Sequence, residues 1–295
     1  DLNLMAFDSV WVMYFNEDMM QDLGLDFPYE LVLDGKWTME ELNKYAKAAA
    51  DLNGDSSFEY DADGSATYGE VSVAGIENQR LYSLGAEYVK RNDMGRYEFT
   101  AHENESFWDA WVALSNYFGA IDGRFVYGNE DDFLQIFANN RALFLSAELK
   151  YAPIICDTKN AFGLLPQPKY DEDQDNYESR VCDNVLSFCI PATNKELART
   201  GLIVDYLTYE SFRSMLLRYY DTHTGYKALT RDESHQCLEI IRNTKGLEVS
   251  VPYGWTRGLS DELCSLAREG RTEIALKAAT PAVLALLKKR LLDNG

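Results

Sequence analysis

The sequence predicts a mixed α/β fold with a helix-rich C-terminus, and three observations carry that reading. The short apolar run Val10-Trp11-Val12-Met13-Tyr14-Phe15 has the β-branched and aromatic make-up of a buried strand. It is followed at once by capped amphipathic helices, and later apolar runs at 142–146 and 161–168 alternate with further helical patterns. From Asn194 onward apolar residues recur at helical spacing.

The elements justify themselves in order. Asn16 ends the first strand and caps a helix whose first turn is acidic (Glu17, Asp18) and which Gly24 closes. After a loop with Pro28 and Asp34-Gly35, Thr38-Met39-Glu40-Glu41 is a capping box; Leu42, Tyr45, Ala46 and Ala49 form the apolar face behind it, and Trp37 is a staple. Residues 68–76 read as a strand ending at Gly75, and 78–84 as a short helix. Met94-Gly95 turns between short strands. Phe107, Trp108, Trp111, Val112, Leu114 and Phe118 mark a core helix starting near Asn104 or Ser106. An acidic start at Glu130-Asp131-Asp132 predicts a helix over 128–139; 142–146 is then a buried strand and 147–151 the loop leaving it. Leu186 to Ile190 is a further apolar run. Helices follow around Leu197, Leu202, Tyr206 and Leu207, around Leu238 and Ile241 behind a capping box at Thr230–Glu233, and around Leu263, Leu266 and Ala267. A last one opens at Pro281, with Leu284, Leu287 and Leu291 on its apolar face.

At 295 residues the chain is long enough for one large or two medium domains. Its 28 basic against 48 acidic residues give a net charge of −20, which argues against nucleic acid or anionic lipid as partner. No apolar run approaches the roughly 20 residues needed to cross a membrane, and the N-terminus lacks the basic-then-apolar pattern of an export signal. Five cysteines, at 156, 182, 189, 237 and 264, show no CxxC spacing and read mostly as small buried hydrophobes.

Two strings carry a family resemblance. Trp11-Val-Met-Tyr-Phe-Asn16-Glu-Asp18, Leu23-Gly24-Leu25 and Gly35-Lys-Trp37-Thr38-Met-Glu-Glu-Leu42 form the first. Ala142-Leu-Phe-Leu-Ser146, then Phe162-Gly-Leu-Leu-Pro-Gln-Pro-Lys-Tyr170-Asp, and Asp183-Asn184 before Val185–Asn194 form the second. In order and spacing they resemble type 1 extracellular solute-binding proteins of ABC importers, carbohydrate type. The resemblance implies a periplasmic-binding-protein-like (type II) two-lobe fold with crossover strands. Residues 1–185 would be mainly one α/β lobe entered by a crossover strand near 8–15. Residues 186–245 would be a return segment contributing to the other lobe, and 246–295 C-terminal helices packing on the first. In the family a complete first lobe precedes the strand at Val10; here the sequence starts almost at that strand, which implies an incomplete second lobe. The implied function is non-catalytic capture of a sugar or oligosaccharide by a monomer and its delivery to a membrane permease. The implied location is extracellular or periplasmic, with export signal and lipid anchor outside this sequence.

His102, His223 and His235 are scattered, and there is no Gly-x-Ser-x-Gly elbow, phosphate loop or HExxH helix. A glycoside-active enzyme using cleft carboxylates stands as the alternative function. Aromatics make up 13% of the chain, and sugar sites set flat rings against pyranose faces with carboxylates and amides at the rim. Trp11 is the platform candidate, with Asp8 and Ser9 beside it where the family's cleft begins. Glu148, Lys150 and Tyr151 leave the 142–146 strand. Asn78, Gln79, Asp183, Asn184 and Tyr253-Gly254-Trp255 are further rim candidates. No cofactor is expected, except that Asp51-x-Asn53-x-Asp55 has the alternating oxygens of a Ca²⁺ loop. An Asx-rich surface turn is the competing reading, since Ser56 and Ala62 replace the usual glycine and glutamate.

Overall fold

The computed structural model describes residues 5–129, 132–158, 160–182, 188–216, 218–219, 229, 231–248, 250 and 254–270. Its strands are β1 (Trp11–Asn16), β2 (Tyr68–Ser72), β3 (Val89–Arg91), β4 (Tyr97–Phe99), β5 (Phe125–Tyr127), β6 (Ala142–Glu148), β7 (Phe162–Leu165), β8 (Ser179–Arg180) and β9 (Lys245–Gly246). Its helices are α1 (Met5–Asp8), α2 (Glu17–Asp22), α3 (Tyr29–Leu33), α4 (Met39–Ala49), α5 (Ile76–Ser83), α6 (Glu105–Phe118), α7 (Phe133–Ala138), α8 (Ala152–Cys156), α9 (Leu197–Glu210), α10 (Asp232–Thr244) and α11 (Arg257–Arg268).

Five strands form the central sheet in the order β5-β2-β6-β1-β7. β2 runs parallel to β5 and β6, whereas β1 is antiparallel to β6 and β7. A strand covered on both faces must be apolar on both, and β1 is: all six of its residues are buried. Trp11, Met13 and Phe15 enter one core with Trp37, Leu42, Trp111 and Phe144. Val12 and Tyr14 enter the other with Tyr68, Leu145 and Ile241. Gly163 of β7 is required by this packing, because a Cβ there would collide with the Phe15 ring and the Tyr29 hydroxyl.

The expected caps form. Asn16 accepts from the Met19 amide at 2.9 Å, Thr38 from Glu41 at 3.4 Å and Asn104 from Ser106 at 3.2 Å. Trp37 is fully buried, with its indole donating to the Pro166 carbonyl at 3.2 Å. Trp108 and Trp111 are core residues.

Several local expectations need correction. β6 extends through Glu148, because Ala147 and Glu148 keep pairing with β1 and the loop starts later. The helix expected over 128–139 covers only Phe133–Ala138. Residues 188–190 are not a strand, and Phe188, Cys189 and Ile190 are exposed, so Cys189 is not a buried hydrophobe; 183–187 lie outside the described residues. At α10 the N-cap residue Arg231 gives no side-chain cap and instead donates its Nε to both Glu17 carboxylate oxygens at 2.8 Å; Thr230 and the 281–291 helix lie outside the described residues. α10 packs on β7 and α3, and α11 on α5 and α6, so both C-terminal helices return to the sheet's own layers. The Cys237 thiol is pushed up to about 12 by burial and then by Glu233, which makes it unreactive.

One polar network lies inside the first core. Arg80 of α5, fully buried, donates to Glu70 of β2 at 2.6 Å, to Ser146 of β6 at 3.1 Å and to Gln167 at 2.8 Å. Gln167 in turn donates to the Val12 carbonyl at 2.8 Å, and Tyr117 of α6 donates to Glu70 at 2.8 Å. Arg80→Ala is therefore expected to cost about 3–5 kcal/mol in urea unfolding, since it strands a buried carboxylate. The paired change Arg80→Met with Glu70→Leu should cost clearly less than Arg80→Ala.

A second cluster lies where β8 and β9 pass α5. Glu87, Glu178 and Glu248 all act on the Tyr82 hydroxyl, whose proton is held tightly by burial first and then by these three carboxylates. Glu248 is raised above the ordinary carboxylate value by burial, against opposing hydrogen bonds and the Arg180 charge. Glu87 is raised by burial and by Glu248, opposed by Lys90; Glu178 is raised by burial and by Glu87. These groups bind protons more tightly folded than unfolded, so stability falls as pH rises from the ordinary carboxylate value through their folded values. A calorimetric Tm series should show stability rising as the pH is lowered from 7 toward 5, with a flatter slope in Glu248→Gln.

Candidate functional site

In an open α/β sheet, ligands bind at the carboxyl ends of the parallel strands. Here that edge is formed by Ser72 of β2, Tyr127 of β5 and Glu148 of β6, with Trp11 opening the antiparallel β1 beside them. Trp11 and Glu148 are direct cross-strand partners and so stand on one face. Asp8 and Ser9 lie immediately before β1; the Ser9 carbonyl accepts from the Cys182 amide at 2.8 Å.

The sequence-predicted residues divide into groups. Asp8 accepts a hydrogen bond from the Tyr219 hydroxyl, and both side chains, with Glu148, act on Tyr14. Burial is the largest cause of the raised Tyr14 pKa, ahead of those charges; its hydroxyl hydrogen-bonds to the Glu148 and Leu149 carbonyls. Glu148 pairs with Lys150, whose ammonium lies 5.2 Å from the centre of the Tyr151 ring. Burial pulls the Lys150 pKa down, and the bond and charge of Glu148 more than offset this, so it lies above the ordinary lysine value. Tyr151 packs edge-on against Phe133 at 5.3 Å. Asp8, Glu148, Lys150, Tyr151 and Tyr14 thus form one polar and aromatic group at the start of β1.

Trp11 sits at the head of this group, only 7% exposed and packed into the first core. Its indole N–H is buried without a hydrogen-bond partner, and so is the side-chain carbonyl oxygen of Gln79 in α5. Such orphans cost about 1–3 kcal/mol each unless something else satisfies them. Asn78, one position earlier, accepts from the Tyr88 hydroxyl at 3.0 Å. Trp255 is engaged elsewhere, its ring 5.6 Å from Tyr97 of β4. Asp183, Asn184 and Tyr253 lie outside the described residues.

Sequence reasoning missed the N-terminal turn of α5. Gly75 holds φ +101°, a left-handed turn suited to glycine, and its amide donates to the Glu77 carboxylate at 2.8 Å. Glu77, fully buried, also accepts from Tyr127 at 2.8 Å and from Arg268 of α11 at 2.5 Å. Glu77 keeps the Arg268 guanidinium above its ordinary value, while burial and then Glu77 raise the Tyr127 hydroxyl. Arg268 and Tyr127 border an open groove of about 600 Å³ that runs beside the edge strand β5 and is lined by Phe58, Phe118 and Phe125. The aromatic pair Phe125-Val-Tyr127 was the available clue; the partner from α11 lies 141 positions away, so no local pattern announces it.

The Asp51 loop is held by side-chain to backbone hydrogen bonds. Asp51 accepts from the Asn53 amide at 2.8 Å, and Asp55 accepts from the Ser65 and Ala66 amides at 2.7 Å. Asn53 itself bridges to the Ser65 carbonyl at 3.0 Å. One oxygen of each carboxylate thus accepts from backbone amides in the manner of an Asx turn, and among the described residues no three His, Cys, Asp or Glu side chains are arranged to hold a metal ion. Nor is any described helix long and apolar enough to cross a membrane.

Removing the cation from Glu77 should be costly even though Arg268 is partly solvated. Arg268→Met is expected to lower stability by about 2 kcal/mol, read by urea unfolding, with Tyr127→Phe losing about 1 kcal/mol.

No protein-family model matches the chain, and no curated protein matches it either. Solved structures do. The ABC substrate-binding protein from Listeria monocytogenes in complex with cycloalternan is similar over 98% of this chain and 75% of its own, at 11% identity and a TM-score of 0.61. UgpB from Mycobacterium tuberculosis, in complex with glycerophosphocholine, covers 96% of this chain and 70% of its own, at 15% identity and TM-score 0.61. The maltose/maltodextrin-binding domain MalE from Bdellovibrio bacteriovorus, bound to maltotriose, covers 95% and 71%, at 16% identity and TM-score 0.58. The chain has the fold of the substrate-binding proteins of ABC transporters.

Proposed function

We propose that this protein captures a sugar or oligosaccharide at the carboxyl edge of its sheet, leaves it chemically unchanged, and delivers it to the permease of an ABC transporter. The observation that carries this reading is the coincidence of a substrate-binding-protein fold with an edge built for polyhydroxylated solutes. Carboxylates (Asp8, Glu148), phenol and indole rings (Tyr151, Trp11) and two unpartnered polar atoms (Trp11 Nε1, Gln79 Oε1) gather at or beside that edge. Ligand hydroxyls both donate and accept, so they suit an orphan N–H and an orphan carbonyl oxygen alike. Lys150 and Arg268, the cations identified at this edge, are each committed to a carboxylate, which favours a neutral solute over an anionic one. Capture before transport places the protein outside the membrane, in the periplasm or at the cell surface.

A thermal-shift and calorimetric screen against linear and cyclic glucans tests the reading. A ligand that binds only the folded state raises stability by about 2.7 kcal/mol at a hundredfold excess over Kd. Trp11→Ala and Glu148→Gln should each weaken binding at least about tenfold, a loss of about 1.4 kcal/mol. Chromatography of the recovered glucan should show it intact, whereas shortened products would point to the glycoside-active alternative. Absence of binding to every neutral glycan would remove the proposal.

A further inference from the structure

The end of β6 carries a small recognition site that the chain fills with its own side chain. Glu148 is only 8% exposed, and its place is set by pairing with Trp11 and by the buried Tyr14 hydroxyl, which hydrogen-bonds to the Glu148 and Leu149 carbonyls. The Tyr151 ring is set by Phe133 of α7, edge-on at 5.3 Å. One ammonium engages both: Lys150 pairs with the Glu148 carboxylate and lies 5.2 Å from the centre of the Tyr151 ring. A buried carboxylate beside an aromatic ring is the chemistry that recognises an alkylammonium ion, through a charge-assisted hydrogen bond and the ring quadrupole together. The carboxylate and the ring are the fixed parts. The occupant is the flexible one, a four-carbon stem whose side chain is 44% exposed.

We infer that Lys150 is a specificity-determining residue: it occupies an ammonium site made by Glu148 and Tyr151, and so reserves this edge for neutral solutes over amine-bearing ones such as amino sugars. The consequence for solute choice rests on the capture reading above, whereas the occupied site is a property of these three residues. With a net charge of −20 the chain draws cations toward its surface, so the same carboxylate left open beside a ring would select protonated amines. An external amine must displace an intramolecular one, which is present at high effective concentration whatever the solute. A neutral sugar meets no such competition, because its hydroxyls can accept from the Lys150 ammonium and donate to the Glu148 carboxylate. Specificity of this kind comes from disfavouring the wrong solute as much as from holding the right one.

Lys150→Ala removes the occupant and leaves room for another. Thermal unfolding of this variant in propylammonium chloride, against sodium chloride at equal ionic strength, should show a gain in Tm of about 2 °C or more that the wild type lacks. Adding Glu148→Gln to Lys150→Ala should abolish that gain, which a general salt effect would not do. In calorimetry Lys150→Ala should bind glucosamine oligomers at least about tenfold more tightly than the wild type does, and Lys150→Arg, which keeps a cation, should not. Far-UV circular dichroism checks that each variant is folded, and Lys150→Ser repeats both measurements if Lys150→Ala is not. No gain in propylammonium or in glucosamine binding overturns the inference, as does a gain that survives Glu148→Gln. The capture reading falls separately, if the wild type binds no neutral glycan.

Discussion

The Arg80 guanidinium ties the layers of the sheet together. From α5 it reaches Glu70 on β2, Ser146 on β6 and Gln167 beyond β7, and through Gln167 it reaches the backbone of β1. A charge with no exposed surface is held only if its donors are satisfied, so these elements have little freedom to shift independently. The helix that carries Arg80 begins at Gly75, at the carboxyl edge of the same sheet. The anchoring of α5 in the core therefore also fixes where Glu77, Asn78 and Gln79 stand.

The edge contrasts with that core. Inside, the polar groups of the Arg80 network are paired with one another. At or beside the edge Trp11 and Gln79 keep polar atoms unpaired, and Lys150 and Arg268 extend partly solvated side chains from buried carboxylates. Unmet polar capacity beside a rigid support is the arrangement that ligand sites share, because the support is preorganised and the free energy of completing the hydrogen bonds goes to the ligand. The same contrast separates Trp37 from Trp11. Both are buried tryptophans in one core; Trp37 has found an acceptor for its indole, whereas Trp11, like Trp111 deeper in that core, has not.

What the sequence determined by itself was local. The strand at Trp11, the caps at Asn16, Thr38 and Asn104, and the core helix around Trp108 and Trp111 were legible because each depends on neighbours within a few residues. So was the resemblance to solute-binding proteins, which rests on the order of such short units. Strand limits were less legible: Glu148 belongs to β6 only because Trp11, 137 positions earlier, pairs with it. The fate of individual site residues was decided entirely by tertiary structure. Trp11 is packed into the first core, Trp255 lies against Tyr97, Asp51 and Asp55 accept from backbone amides, and Arg268 lies beside Glu77. Burial and pairing arise between segments far apart in the chain, and no local periodicity encodes which of them will meet.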